Sequence, residues 1–186
     1  LSGIGSANIV QTKITTSNGA TDDYFGFNVA IGGTIIAVGA YGVDTVASSA
    51  GAVYLLDLSG NELGIITASD GAASDYFGFN LGIGGTIIAV GAYGRDNPAG
   101  SGAVYILDHK GNELGIVTAS DADVEDYFGR PVEVGPTKIV VGAAWNDDGG
   151  ERAGSAYLYD HKGENEIKLT ASDPDGYDYF GYGVGI

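Results

Sequence analysis

The chain has 186 residues, among them 33 glycines, and its 24 acidic and 8 basic residues give a formal net charge of −16 at pH 7. Such a negative surface repels nucleic acid backbones and anionic lipid, so we expect cations or basic partners and no nucleic acid. Cysteine is absent, which excludes disulfides and thiol chemistry, and no apolar stretch is long enough for membrane insertion.

A four-residue phrase, Asp-Tyr-Phe-Gly, divides the chain into units of nearly equal length. Its copies begin at Asp23, Asp75, Asp126 and Asp178, so their spacings are 52, 51 and 52 residues. A period of this length indicates one repeated supersecondary unit, and such units bury their apolar faces by stacking on their neighbours. The repeat therefore predicts a stacked architecture such as a propeller, a solenoid or an array.

Each unit contains four strand signals in chain order. In the first unit they cover residues 25–31, 34–40, 51–57 and 62–68, separated by glycine turns, polar loops or hairpin loops that contain Asp and Gly. No segment has the period of an amphipathic helix, so no helix is predicted. Four short antiparallel strands in about 50 residues are typical of a propeller blade. The sequence thus predicts an all-β fold of β-propeller blades, each with four antiparallel strands. We expect Phe25, Phe77 and Phe128 to be buried between blades, and the recurring tyrosines beside them to pack there too, with a ligand platform as the alternative.

The blade boundaries follow from the repeat. We expect three complete blades over residues 24–75, 76–126 and 127–178, the end of a preceding blade over residues 1–23, and the first strand of a further blade over residues 179–186. Incomplete blades leave unpaired strand edges, which are templates for association. We therefore expect more of the same polypeptide, or another copy of it, to complete the sheets, and the segment alone to associate or to be unstable.

Two further phrases recur in a fixed order after Tyr-Phe-Gly. Val-Gly-Ala begins 14 residues after each tyrosine, at Val38, Val90 and Val141. Gly-Ala-Val-Tyr, or Gly-Ser-Ala-Tyr in the last unit, begins at Gly51, Gly102 and Gly154. This order resembles the FG-GAP repeat of integrin α-subunit propellers and their bacterial relatives. The resemblance covers nearly the whole chain, and it implies a propeller that serves adhesion or recognition outside the cell.

The turns between the first two strands of each blade depart from that family. The resemblance places a calcium loop at this position, whereas this chain has Gly32-Gly33, Gly84-Gly85 and Gly135-Pro136. Turns of two residues without carboxylates cannot supply the roughly six to eight oxygen ligands that calcium takes. We therefore expect no calcium site at these turns.

The turns between blades contain a second candidate for calcium. One group comprises Asp121, Asp123 and Asp126, and the other comprises Asp173, Asp175 and Asp178, with the same Asp-x-Asp-x-x-Asp spacing. This spacing brings several hard oxygen ligands into one turn, as calcium requires. The alternative is a solvated acidic surface, because the corresponding segments of the earlier units have fewer carboxylates. Calcium is the one cofactor that the sequence suggests, and none is required.

The acidic residues concentrate on one predicted face. Connections in an up-and-down blade alternate between its two ends, so the loops from strand two to three and from strand four to the next blade share a face. Of the 24 acidic residues, 16 lie in these loops, opposed there only by Arg95 and Arg152. The single tryptophan lies there too, and the candidate contact for a sugar or a protein is Trp145, Asn146, Asp147 and Asp148. Packing of the tryptophan on a neighbouring loop is the alternative.

Three classes of function fit these features. The first is a non-catalytic extracellular or particle-surface β-propeller module for adhesion to, or recognition of, a protein or carbohydrate partner. The second is a structural subunit of a fibre, ring or appendage, assembled from further copies of the chain through unpaired terminal strands. The third, a polysaccharide-active enzyme, fits less well, because catalytic carboxylates are singular and lie in a pocket, whereas most of these acids recur with the repeat. We expect a protein without enzymatic activity, at an extracellular, cell or particle surface.

Overall fold

The computed structural model describes residues 12–96 and 99–186. Twelve β-strands occur in these ranges, and they form three sheets of four antiparallel strands each. The first sheet contains β1 (Val29–Gly32), β2 (Ile35–Ala40), β3 (Ala52–Asp57) and β4 (Glu62–Ile66). The second contains β5 (Asn80–Gly84), β6 (Ile87–Ala92), β7 (Ala103–Asp108) and β8 (Glu113–Val117). The third contains β9 (Val132–Val134), β10 (Lys138–Ala143), β11 (Ser155–Asp160) and β12 (Ile167–Leu169).

Each sheet is an up-and-down meander. The strands pair in chain order, and the second and third strands pair along their whole length, from Ile35 with Asp57 to Ala40 with Ala52 in the first sheet. The described ranges contain no helix, and thus none that could cross a membrane. These observations confirm the predicted all-β fold with four-stranded blades. Within the described residues the three sheets do not close into a ring.

The first strand of each sheet begins later than the sequence predicted. β1 starts at Val29 instead of residue 25, because the phrase before it is a turn. Tyr24 has a φ of 56° and Gly26 a φ of 87°, and extended strands do not contain such values. The turn between β1 and β2 is also shifted by one residue, to Gly33 and Thr34. Aromatic residues favour strands, so Phe25 and Phe27 led to the prediction of a strand where the chain forms a turn.

The hydrophobic core lies between neighbouring sheets. The interface of the first two sheets buries residues that include Leu55, Phe77, Ile88 and Tyr105. The interface of the second and third sheets buries residues that include Ile106, Phe128, Ile139 and Tyr157. Burial of one Val, Leu, Ile or Phe side chain contributes roughly 1.5–3 kcal/mol, so the sheets stabilise one another as a stack.

The first strands form the inner edge of this stack. β1 contacts β5, and β5 contacts β9, whereas the fourth strand lies at the other edge of each sheet. The loops after the second strand and after the fourth strand therefore emerge at the same end. We call this end the loop face, and it consists of residues 17–28, 41–51, 67–79, 93–96, 99–102, 118–131, 144–154 and 170–182.

The Asp-Tyr-Phe-Gly phrase joins each sheet to the preceding one. The carboxylate of Asp75 accepts a hydrogen bond from the backbone N–H of Ala72 at 2.7 Å, which closes the turn. The backbone N–H of Phe77 donates to the carbonyl oxygen of Ala50, in a loop of the first sheet, at 2.9 Å. The rings of Phe77 and Phe128 are fully buried, which confirms that these two phenylalanines pack between blades.

The two ends of the stack expose apolar residues whose equivalents are buried inside. Val29 is 57% exposed, whereas its equivalents Leu81 and Val132 are 3% and 1% exposed. Phe25 was predicted to be buried between blades, but it is only half-buried, because no described sheet covers this side of the first sheet.

The segments that the sequence assigned to flanking blades contain no strand where they are described. Residues 12–23 are loop and turn, and residues 1–11 lie outside the described residues. In residues 179–186, Phe180 forms an isolated parallel bridge with Gly154. The contact that links a sheet to the following Asp-Tyr-Phe-Gly phrase is therefore also present after the third sheet, and residues 181–186 form no strand.

Candidate functional site

A buried tyrosine on the third strand of each sheet reaches the loop face. The hydroxyl groups donate from Tyr54 to Asn18 at 2.8 Å, from Tyr105 to Asp70 at 2.5 Å and from Tyr157 to Asp121 at 2.8 Å. Burial and the neighbouring carboxylates raise the pKa of Tyr105 and of Tyr157, so both hydroxyls remain protonated donors. The residue after the serine of each inter-blade turn (Ser17, Ser69 or Ser120) thus anchors that turn to the sheet that follows it.

A cation completes this contact in the second and third sheets, but it comes from a different element in each. Arg95, in the loop after β6, pairs with Asp70 at 2.6 Å. Lys168, on β12, pairs with Asp121 at 2.5 Å and also with Asp148. Burial raises the pKa of both Asp70 and Asp121, but the hydrogen bonds from the tyrosines and cations outweigh it and hold both pKa values below the ordinary 3.8.

The six aspartates that the sequence proposed as calcium ligands have protein partners in this structure. Asp121 accepts from Tyr157 and Lys168, Asp123 accepts from the backbone N–H of Val124 at 2.7 Å, and Asp126 accepts from the backbone N–H of Asp123 at 3.0 Å. In the last turn, Asp175 accepts from the N–H of Gly176, Asp178 from the N–H of Asp175, and Asp173 from the hydroxyl of Ser172. Within the described residues, no three acidic or histidine side chains are grouped as a metal site. Calcium binding at these turns stays a prediction.

Asn146, one of the four predicted contact residues, lies inside the protein. It is 2% exposed, and its amide nitrogen donates to the carboxylate of Asp126 at 3.2 Å. Its carbonyl oxygen accepts from the hydroxyl of Ser155 at 2.8 Å and from Lys168 at 3.3 Å. Burial raises the pKa of Asp126, against the opposing effect of its hydrogen bonds. Asn146 is therefore part of a buried polar network and not of the surface.

The other three predicted contact residues line the edge of the loop face. Trp145 is half-buried and packs edge-to-face on Tyr127, with 4.6 Å between ring centroids, and the guanidinium of Arg152 lies 4.3 Å from its ring. Asp147 accepts a hydrogen bond from the N–H of Arg152 at 2.6 Å, and exposed Asp148 pairs with Lys168. The tryptophan ring thus packs on a neighbouring loop, and its contact with a sugar or a protein partner stays a prediction.

Trp145 replaces a tyrosine that stacks in the earlier repeats. Tyr41 stacks on Tyr24 with 4.7 Å between centroids, and Tyr93 stacks on Tyr76 with 5.1 Å between centroids. The third repeat has Ala144 at the equivalent position, and the next residue supplies the ring instead. Comparison of the repeats would have indicated this substitution from the sequence.

Two of the cavities on the loop face combine aromatic and carboxylate side chains. The larger, of about 380 Å³, lies between the second and third sheets and is lined by residues that include Tyr76, Tyr93, Asp96, Glu125 and Tyr127. The smaller, of about 120 Å³, is lined by Val124, Glu125, Trp145, Asp147, Glu151 and Arg152. Burial raises the pKa of Tyr93 and Tyr127, so both keep their hydroxyl protons at neutral pH. Aromatic walls with a carboxylate rim suit a ligand that is cationic or rich in hydroxyl groups.

The sequence did not reveal the tyrosine cleft. The sequence predicts that the tyrosine of Asp-Tyr-Phe-Gly packs between blades, together with the phenylalanine beside it. A φ of 57° at Tyr76 and 53° at Tyr127 separates the two side chains, so that the phenylalanine is buried and the tyrosine lines the cleft. No local sequence signal marks that difference.

Comparison with known proteins adds one family. The FG-GAP repeat matches three consecutive segments, residues 10–56, 61–107 and 112–159. No curated protein matches the chain. The second match begins just before β4 and ends within β7, so one sequence repeat supplies the last strand of one sheet and three strands of the next. These matches cover most of the chain and agree with the blade-like sheets, and the chain belongs to the FG-GAP repeat family.

Proposed function

We propose that this protein is a non-catalytic recognition module that binds its partner on the loop face. The observation that supports this proposal is the cleft of about 380 Å³ between the second and third sheets. Its three tyrosines come from two different kinds of loop, and the fold brings them together beside Asp96 and Glu125. A concave site with aromatic walls and a few polar groups is the usual form of a ligand site.

A basic segment of another protein is the partner that this cleft fits best. Lysine and arginine side chains bind the faces of tyrosine rings and pair with carboxylates. The net charge of −16 also attracts a basic partner over a distance and accelerates its association. A carbohydrate is the other partner class, because sugar rings also pack on tyrosine. Adhesion, and a location outside the cell or on a particle surface, rest on the family resemblance.

The experiment compares two probes by calorimetric titration: a short peptide rich in lysine and arginine, and a neutral oligosaccharide. We expect the peptide to bind, with an affinity that falls as salt increases, and we expect Glu125→Gln to weaken it. Glu164→Gln is the matched control, because Glu164 is an exposed acid at the opposite end of the third sheet and its removal changes the net charge equally. Equal effects of the two variants would mean that the peptide binds only through the overall negative charge. Binding of the oligosaccharide but not of the peptide would indicate a carbohydrate partner in place of a basic protein segment.

A structural subunit is a second candidate, favoured by the exposed ends of the stack. Val29 and Ile31 lie on one end, and Phe180 and Ile186 lie on the other, all exposed. Their equivalents at the inner interfaces, such as Phe77, are buried, so a further sheet of the same kind would cover them. Light scattering measures whether copies of the chain associate through these ends, and a monomer at all accessible concentrations would count against the candidate.

A further inference from the structure

Four residues form a row along the inner edge of the stack, at its loop-face end. Each follows the glycine of an Asp-Tyr-Phe-Gly phrase, and the row consists of Phe27, Phe79, Arg130 and Tyr182. The rings of Phe27 and Phe79 are in contact, with 4.7 Å between their centroids. The guanidinium of Arg130 lies 5.9 Å from the Phe79 ring and 5.8 Å from the Tyr182 ring. One repeat position therefore places a single cation among aromatic side chains.

A cavity of about 330 Å³ opens beside this row, and Asn80 and Pro131 complete its lining. The volume lies within the range of roughly 300–1,000 Å³ that is usual for ligand sites. The described residues of the lining include one cation and no carboxylate. The chain has a net charge of −16, and the two cavities described above are both lined by acidic residues. This cavity therefore differs from them in the charge of the ligand that it suits.

Arg130 has no carboxylate partner in the part of the chain that the structure describes, where the ion pairs belong to Arg95 and Lys168. Residues 1–11 and 97–98 contain no Asp or Glu. Packing alone does not require a cation at this position, because the first two repeats have phenylalanine there. The guanidinium has five N–H donors, and in the cavity its neighbours are aromatic rings. These donors can therefore bind an anionic group.

The amide of Asn80 adds a second donor to the cavity. Its side-chain oxygen accepts a hydrogen bond from the backbone N–H of Val132 at 2.9 Å. Since an N–H group can donate only to the oxygen of the amide, this contact fixes the orientation of the side chain. The NH₂ group then remains to donate to a ligand. The cavity thus combines hydrogen-bond donors with apolar ring faces.

We propose that this cavity binds a sugar acid, with the carboxylate on Arg130 and the sugar ring against the aromatic row. A guanidinium and a carboxylate form two parallel hydrogen bonds, and the amide of Asn80 donates to a further oxygen of the ligand. Phe27 is 52% exposed and Tyr182 is 65% exposed, so rings on both sides of the cation are open to contact. A chain of uronic acids suits this arrangement, because every ring of such a chain has its own carboxylate.

This site is separate from the cleft that we propose for a basic segment. The two are neighbours, because Tyr93 lines that cleft and also lies 5.7 Å from the guanidinium of Arg130. The ligands have opposite charge, so the sugar-acid site does not depend on binding at the cleft. A chain that binds a sugar acid and no basic peptide would support this site and contradict the cleft, and the reverse result would do the opposite.

Calorimetric titration compares a trisaccharide of galacturonic acid with its methyl ester, which keeps the rings and removes the charge. We expect the acid to bind, and the ester to bind at least about tenfold more weakly, because it loses the hydrogen bonds of a charged group. Arg130→Phe should abolish binding and keep the fold, since phenylalanine is the residue of the first two repeats. Lys162→Gln is the matched control, because it removes one positive charge from an exposed hairpin at the opposite end of the third sheet.

A peptide of three glutamates tests the sugar ring, because it has as many carboxylates as the trisaccharide and no rings. We expect it to bind more weakly than the trisaccharide. Tyr182→Ala should weaken the trisaccharide and leave the peptide unchanged, and the high exposure of Tyr182 means that this change costs the fold little.

Three results would overturn the proposal. One is the absence of trisaccharide binding in a wild-type chain that melts cooperatively, and is therefore folded. Another is equal affinity of the wild type and Arg130→Phe for the trisaccharide. The third is a glutamate peptide that binds as tightly as the trisaccharide, because the aromatic row would then make no contribution to binding.

Discussion

The α-carbon of Gly91 in the second sheet faces the carbonyl oxygen of Gly129 in the third so closely that a Cβ atom at Gly91 would overlap that oxygen. The same contact joins Gly39 to Gly78 and Gly142 to Gly181. The glycine of Val-Gly-Ala and the glycine of Asp-Tyr-Phe-Gly therefore meet across every described junction, which gives both phrases one physical role.

We expect Gly91→Ala to destabilise the protein by about 1–3 kcal/mol or more, because the added methyl group must push two sheets apart. The measurement is the free energy of unfolding from denaturant titration. Gly115→Ala is the control, since Gly115 lies in β8 with no atom near its missing Cβ. That variant should gain up to about 1 kcal/mol from the stiffer unfolded chain. Similar losses in both variants would show that the close approach is not what requires glycine.

The buried tyrosine contacts predict a second effect on stability. We expect Tyr105→Phe to cost roughly 1–3 kcal/mol, because it removes a hydrogen bond to the charged Asp70 and leaves that carboxylate with Arg95 alone. Tyr182→Phe is the comparison, since Tyr182 is exposed and its change should stay within about 0.5 kcal/mol. Thermal melts of the two variants under the same conditions decide whether the hydroxyl of Tyr105 stabilises the fold.

The aspartates predict opposite responses to pH. Asp70 has a lowered pKa in the folded state, so its stabilising effect is complete above the ordinary value of 3.8 and is lost as the pH falls through the lowered value. Asp75 has a pKa raised mainly by burial, so it favours the folded state below 3.8 and loses that effect as the pH rises through the raised value. We therefore expect the stability difference between wild type and Asp70→Asn to shrink on acidification.

The comparison variant for this pH series is Asp75→Asn. The advantage of the wild type over Asp75→Asn should shrink as the pH rises, the reverse of the Asp70 result. Unfolding free energies measured between pH 3 and 6, at about 0.15 M salt to screen the surface charge, give both slopes. Parallel slopes in the two variants would contradict the assignment of opposite shifts.

Calcium at the inter-blade turns predicts a specific response to one cation. If Asp121, Asp123 and Asp126, or Asp173, Asp175 and Asp178, bind calcium, the melting temperature should rise with calcium more than with magnesium at constant ionic strength. In the first group calcium must displace Lys168 from Asp121, which requires that turn to rearrange. An Asp123→Asn, Asp175→Asn double variant should lose the calcium response. Equal responses to the two ions would leave a solvated acidic surface.

The exposed ends of the stack predict that copies of the chain associate through these ends. Two apolar residues of similar exposure, Ile31 at one end and Leu114 away from the ends, test this. We expect Ile31→Asp to reduce self-association, because Ile31 lies on the uncovered side of the first sheet and is 66% exposed. Leu114→Asp is the control, since Leu114 is 60% exposed on β8, at the outer edge of the second sheet. Light scattering across a concentration series should separate them, and an equal effect of both variants would point to general solubility.

The sequence predicted the sheets because their evidence is periodic. The copies of Asp-Tyr-Phe-Gly set the unit, and the apolar runs such as Ile87 to Ala92 mark the strands within it. It did not predict that Tyr105 reaches Asp70, because that contact joins a strand to a turn 35 residues earlier and depends on the packing of two sheets. An alignment of the repeats places Asn146 at the position of Arg95 and Lys168 at the position of Ile116. It does not show that Arg95 and Lys168 each pair with the aspartate of an inter-blade turn, because that depends on where the folded chain brings the two side chains.

One period of the sequence ends one sheet and begins the next, and this staggered arrangement has a consequence for how such a chain can grow. A duplication or deletion of about 50 residues at any point in the period adds or removes one sheet while every junction keeps the same partners. The exact site of the genetic event does not matter, since the new seam always falls between equivalent residues. The number of sheets is therefore free to vary among descendants of one ancestral unit, whereas the length of the unit is fixed by the geometry of the joint.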